Sequence, residues 1–177
     1  MTLRLWMQLV PIPLLIACAA AVVCARPARA SDTGAPDKVT FFGPEQSPIS
    51  SGVSIPAGRA FLWTSGTVPS LADTAAAEGT RARYGDTKIQ ARSILSKFEA
   101  ALKDRGLSFK DVVYLRAYVV ADPEKGNKPD YPGWFEAYGE KFGTKDNPVK
   151  TARSTVAVAG LVNAGWLIEI EAFAVYP

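Results

Sequence analysis

The segment KTARSTVAVA, residues 150–159, places Arg153 in a run that otherwise reads as a buried β-strand. A guanidinium stays protonated in a protein, so this position commits the strand to a permanent cation. Further along, IEIEAFAVYP carries Glu169 and Glu171 at strand spacing. Alternation puts both on one face with Leu167, Phe173 and Val175, the two carboxylates about 7 Å apart, opposite Trp166, Ile168, Ile170, Ala172 and Ala174. By the same rule Arg153, Thr155 and Ala157 share one face of their strand, and Ser154, Val156 and Val158 the other. If the two strands are neighbours, Arg153 comes near one of the glutamates. Burying unpaired charge is costly, and two readings fit. One is a solvated edge or an interfacial ion pair. The other is a bidentate clamp for a substrate carboxylate, which the planar fork of arginine suits better than lysine, with a nearby glutamate positioning or activating a water.

The missing residue types narrow the chemistry. The chain has no histidine, and its two cysteines, Cys18 and Cys24, fall within the first thirty residues. Beyond that stretch Ser-His-Asp triads, cysteine nucleophiles and the usual zinc sites are excluded. No Gly-rich phosphate loop precedes a helix, and 122–130 lacks the ligand spacing of an EF-hand, so it reads as a surface loop. What remains for chemistry is Arg, Lys, Asp, Glu, Ser, Thr, Tyr and the backbone.

Residues 1–30 read as a secretory signal peptide: Arg4, a long apolar run over 5–23, then Ala28-Arg29-Ala30 as a small-x-small cleavage site. A rival parse takes Leu15-Ile16-Ala17-Cys18 as a lipoprotein signal with Cys18 acylated. An uncleaved anchor fits less well, because Pro11 and Pro13 interrupt the span. Removing Arg4, Arg26 and Arg29 with the leader leaves as many basic as acidic residues, the whole chain having 20 and 17. A neutral chain with no basic cluster denser than Arg81-Ala82-Arg83 argues against a nucleic-acid partner. The remainder, roughly 147 residues, suits a single domain. The expected location is periplasmic or secreted, with no membrane contact unless Cys18 is lipidated.

Residues 31–45 begin with small polar residues and read as a flexible start, with a short strand over 38–42. Strands over 51–55 and 59–64 flank Pro56-Ala57-Gly58 and read as a hairpin. Residues 67–85 form a long loop with a helical turn at 74–78. Asp86 caps a helix with Ile89, Ile94, Phe98, Ala101 and Leu102 on its apolar face, ended by Gly106. A strand over 111–120, a helix over 132–142 stopped by Gly143, and strands over 151–159 and 166–176 complete the order β-β-β-α-β-α-β-β. The expected architecture is α+β, a mixed sheet with both helices on one face. The other face then needs cover from another subunit or solvent-tolerant side chains.

The motifs ARSTVAVAGL and IEIEAFAVYP, with LWTSGTVP upstream and DVVYLRAYVV between, resemble the RidA/YjgF family of reactive-imine deaminases over residues 46–177. The resemblance implies a chorismate-mutase-like fold and a homotrimer with sites in the clefts between subunits. It also implies cofactor-independent hydrolysis of 2-iminoacids or their enamines to 2-ketoacids and ammonia. By position, Arg153 matches the arginine of the family's ARS motif, the substrate-carboxylate clamp. Glu169 matches the first glutamate of EIEA, which orients or activates water, and Ser65 with Gly66 matches the pocket-lining SG pair. Thr155 replaces a residue that is often cysteine, leaving its backbone amide to meet the substrate. Two positions depart: Ile49, in SPISSG, stands where the deaminases carry tyrosine, and Phe135 where they carry asparagine. Both make the expected pocket more apolar. A non-catalytic trimer binding small carboxylates is the alternative reading, and 67–85 is either a lid over the cleft or a surface insertion.

Overall fold

The computed structural model describes residue 34 and residues 36–177. The leader readings, Cys18 acylation included, lie outside the described residues. The centre is a four-stranded mixed sheet of β3 (Phe61–Trp63), β8 (Ile168–Val175), β4 (Val112–Val119) and β7 (Ala152–Ala157), in that spatial order. β8 runs antiparallel to both β3 and β4, and β7 runs parallel to β4. The two long strands alternate as their side chains demand. Leu115, Ala117 and Val119 of β4, with Ile168, Ile170, Ala172 and Ala174 of β8, bury one face of the sheet.

Two helices cover that face, α1 (Thr87–Lys103) and α2 (Tyr131–Gly139). The Asp86 carboxylate accepts the Ile89 amide at 2.9 Å and starts α1. At its far end Leu107 N–H returns to the Leu102 carbonyl and Gly106 N–H to Lys103, with Gly106 at φ +71°. The apolar stripe differs from the expected one. Ala91, Ile94, Leu95, Phe98 and Leu102 are buried, whereas Ile89 is 45 % exposed. Buried Gln90 lies beside it: its amide donates to the Gly85 and Gly165 carbonyls and its oxygen accepts Leu167 N–H at 2.8 Å, fastening the helix start to the entry of β8. In α2 the Asp130 side chain accepts from Gly133 N–H, and Trp134, Ala137 and Tyr138 face inward.

The expected hairpin over 51–64 does not form. β2 (Gly52–Ser54) pairs with β1 (Thr40–Phe42) in a separate antiparallel ribbon, and β3 goes to β8. Strand pairing is decided by non-local partners, which a local turn signal does not reveal. β5 (Ala121–Asp122) and β6 (Lys128–Pro129) make a further small ladder. The helical turn of the 67–85 loop sits at Arg81–Arg83 rather than 74–78. Arg83 donates to the Thr74 and Ala76 carbonyls, and Arg81 pairs with the Asp122 and Glu124 carboxylates at 2.7 and 2.8 Å, so the loop is lashed both to itself and to the ladder.

Candidate functional site

Arg153 pairs in register with Leu115, and Thr155 with Ala117, so both side chains lie on the helix-covered side of the sheet. There the guanidinium rests on the aromatic face of α2. Its carbon is 4.4 Å from the ring centres of both Phe135 and Tyr138 and 5.4 Å from that of Trp134. Residues 135 and 138 are helical neighbours one turn apart, which is why one cation touches both. No carboxylate pairs with Arg153 among the described residues, and its buried Nη1 has no hydrogen-bond partner. Burial pulls its pKa below the ordinary arginine range, partly offset by the Tyr138 phenol. The group keeps its charge and is a partly desolvated cation with no carboxylate beside it among the described residues.

Arg153 opens onto a cavity of about 330 Å³ lined also by Pro48, Phe135, Tyr138, Phe142, Lys150 and two glycines, Gly139 and Gly143. Tyr138 is fixed from behind: its oxygen receives Thr151 N–H at 3.1 Å and contacts the Thr151 hydroxyl. Burial raises its pKa, while Thr151 and Arg153 act against that rise. Phe142 stacks on Tyr138 at 4.8 Å. The Lys150 ammonium is held by the Glu45 carbonyl. The lining thus contains two cations and no acid.

Glu169 and Glu171 stand on the opposite, uncovered side of the sheet, in register with Tyr118 and Arg116. Their surroundings differ. Glu171 accepts from Arg116 Nη1 and from the Tyr118 hydroxyl, each at 3.2 Å. Glu169 has no such partner among the described residues. It lies against Gly66, where a Cβ would overlap its carboxylate. Thr64 N–H donates to the Ala172 carbonyl, while Thr67 exchanges both backbone bonds with Ile170. Three residue steps therefore match two, and the bulge falls at Ser65-Gly66, delivering that pair to Glu169. Beyond it the uncovered face is aromatic: Trp63 lies 4.3 Å from Phe173, which lies 5.5 Å from Tyr114, and Phe61 is exposed.

One expectation is overturned, and the other predicted residues fall as follows. β7 and β8 are not neighbours, since β4 lies between them, and their charged side chains point to opposite sides. One copy of the chain does not bring Arg153 and Glu169 together. Ile49 packs against the core and borders a separate small hollow with Phe41 and Phe42; Pro48 lines the Arg153 cavity instead. The Thr155 hydroxyl accepts Trp134 Nε1–H at 3.1 Å, so that group holds the aromatic floor in place. Phe135 does border the cavity, and Ser65 and Gly66 do accompany Glu169. Tyr138, Phe142 and Lys150 were not anticipated. The aromatic spacing of Trp134, Phe135 and Tyr138 on one helix was the available signal for the first, because such a face seats a cation.

Comparison with known proteins agrees with this architecture. No curated protein sequence matches. Among solved structures, YyfB from Yersinia pestis, a protein of unknown function of the Rid family, is 26 % identical with TM-score 0.58, covering 78 % of this chain and 99 % of its own. A candidate translation initiation inhibitor from Vibrio vulnificus is 27 % identical with TM-score 0.51, over 80 % and 100 %. E. coli TdcF, solved with bound serine, shares the fold at 24 % identity and TM-score 0.50, over 78 % and 99 %. The family model described as Endoribonuclease L-PSP matches residues 48–176, and with it the chain belongs to the L-PSP (YjgF/RidA) family.

Proposed function

We propose that the protein is a cofactor-independent 2-iminoacid deaminase whose site forms between copies of the chain. The observation that carries this reading is Arg153: a charged guanidinium, partly desolvated, resting against aromatic rings, with a buried N–H that has no partner among the described residues and a cavity before it. A carboxylate is the natural occupant, because a bidentate pair supplies the missing acceptors. Glu169, free of partners among the described residues on the far side of the sheet, is the complementary half. A homotrimer with the uncovered face against its neighbour places one copy's Glu169, Ser65 and Gly66 opposite another's Arg153. The exposed Phe61 and Trp63 favour such cover.

In this mechanism Arg153 fixes the substrate carboxylate and polarises the adjacent imine carbon. Glu169 takes a proton from a water that adds to that carbon, forming the C–O bond as the C=N electrons move to nitrogen. That proton is returned to nitrogen, giving the carbinolamine; Glu169 then relays the carbinolamine hydroxyl proton to the amine, and ammonia departs as the C–N bond breaks and the C=O bond forms, leaving the 2-ketoacid, so one water is consumed per ammonia released. Glu171 is already bonded to Arg116 and Tyr118 and is the poorer base.

The test is complementation. Arg153→Ala and Glu169→Gln proteins are each inactive when pure. Unfolded together in equal amounts and refolded, they regain about a quarter of the wild-type sites, since each site needs its arginine and its glutamate from different copies, each intact half the time. Activity in either pure variant, or none after mixing of correctly assembled material, overturns the reading. A second reading, a non-catalytic binder of small carboxylates in the periplasm, is favoured by the apolar Phe135 at the cavity rim and predicts saturable binding without ammonia release. The family model's endoribonuclease description finds little support in a chain without histidine. Export through cleavage after Ala30 belongs to the same proposal and is checked by the N-terminal mass of the secreted protein.

A further inference from the structure

The walls of the Arg153 cavity say more about the ligand than its charge. The only charged groups lining it are cationic, and Arg153 carries the unused donor. The remaining surface is apolar and mostly aromatic: Phe135, Tyr138, Phe142 and Pro48. Phe135 stacks on Tyr131 at 6.2 Å and has the guanidinium carbon 4.4 Å from its ring centre, yet keeps 45 % of its surface exposed. At about 330 Å³ the space matches the lower end of pockets that hold drug-sized ligands. A three-carbon iminoacid fills little of it and leaves the ring surfaces wet.

We infer that the cavity selects 2-imino and 2-keto acids with a bulky apolar or aryl side chain, and that Phe135 determines this specificity. The inference rests on the carboxylate-binding reading of Arg153 and deepens it. The carboxylate docks on the guanidinium edge while the side chain lies over Phe135 towards Phe142, an arrangement in which ring–ring contact adds to area burial. Burying a phenyl group in place of a methyl on such a surface, even incompletely, strengthens binding at least about tenfold. Polar side chains gain little from this lining, because among the described residues bordering the space the only polar side-chain groups are the two cations and the Tyr138 hydroxyl, already engaged with Thr151.

Binding of pyruvate and of 4-phenyl-2-oxobutanoate, stable ketoacids that need no turnover, is measured by calorimetry on wild type, Phe135→Ala, Phe135→Asn and Arg153→Ala. The expected result is a Kd ratio of at least about ten in favour of the phenyl compound, collapsing towards one in both Phe135 variants, with binding of either acid lost in Arg153→Ala. Equal affinities, tighter pyruvate binding, a ratio that survives at position 135, or no binding of either acid overturns the inference. Melting temperatures recorded on the same samples separate a binding effect from a folding defect. Absence of ammonia release alongside the expected ratio refutes the deaminase reading alone.

Discussion

Thr155→Val separates two roles for one residue. The family resemblance leaves its backbone amide to meet the substrate, while its hydroxyl accepts the Trp134 indole N–H at 3.1 Å. Valine keeps the shape and the strand preference but removes the acceptor. The indole has no solvent exposure, so its N–H is left without a partner. An unmet buried donor costs about 1–3 kcal/mol; with Thr155 itself half-buried, the lower part of that range applies, about 1–2 kcal/mol. For a domain of this size each kcal/mol lowers Tm by about 2–4 °C, giving a fall of about 2–8 °C that Thr155→Ser largely restores. Urea denaturation and scanning calorimetry read the stability, and 2-ketoacid affinity is measured on the same samples. The expected outcome is a less stable protein with nearly wild-type affinity. An unchanged Tm with affinity down by an order of magnitude would show that the hydroxyl serves the ligand and refute the reasoning.

Arg81→Met strands the fully buried Asp122 carboxylate, whose remaining partner is the Glu124 amide at 2.9 Å; the expected loss is about 2–4 kcal/mol by denaturation, part of which returns when Asp122→Asn is added. Strictly additive effects of the two changes would deny the pairing. Arg92 grips both Glu140 oxygens between α1 and α2 and holds that carboxyl below the usual glutamate range. Its contribution is therefore present above the unfolded-state value of about 4.3 and disappears as pH falls through the lower native one. The small Tm gap between wild type and Glu140→Gln at neutral pH should close in acid and in high salt, and a gap that persists in acid refutes the assignment.

Much of the fold was legible because its signals are local. The Asp86 cap, the Gly106 stop and the alternation of β4 and β8 each depend on residues a few positions apart. What failed was non-local. The turn at Pro56-Ala57-Gly58 suggested a hairpin, but the partners of β2 and β3 are chosen by distant strands. Ile89 read as core because nothing local reveals that Gln90 is buried to bind Gly165 and Leu167. The candidate site divided along the same line. Arg153 stood out as a cation in a strand, and Glu169 as an acid in another. β4 inserting between them keeps the strands apart, and their placement on opposite sides depends on the register of each strand against β4, neither of which is written locally. The aromatic seat beneath Arg153 was written in the Trp134, Phe135, Tyr138 spacing and awaited only a reason to look for a cation.

The tryptophans turn these structural divisions into optical ones. Of the four in the chain, Trp63 lies 58 % exposed on the uncovered face, Trp134 lies beneath the guanidinium, and Trp166 meets Tyr84 edge-on near the anchored loop. Emission from Trp63 therefore shifts to the blue when that face is covered, and emission from Trp134 responds when an anion changes the field of Arg153. With Trp6 and two of these three replaced by phenylalanine, the survivor becomes a single-site probe. Assembly and occupancy can then be timed separately, showing whether a ligand meets a finished interface or helps to close it.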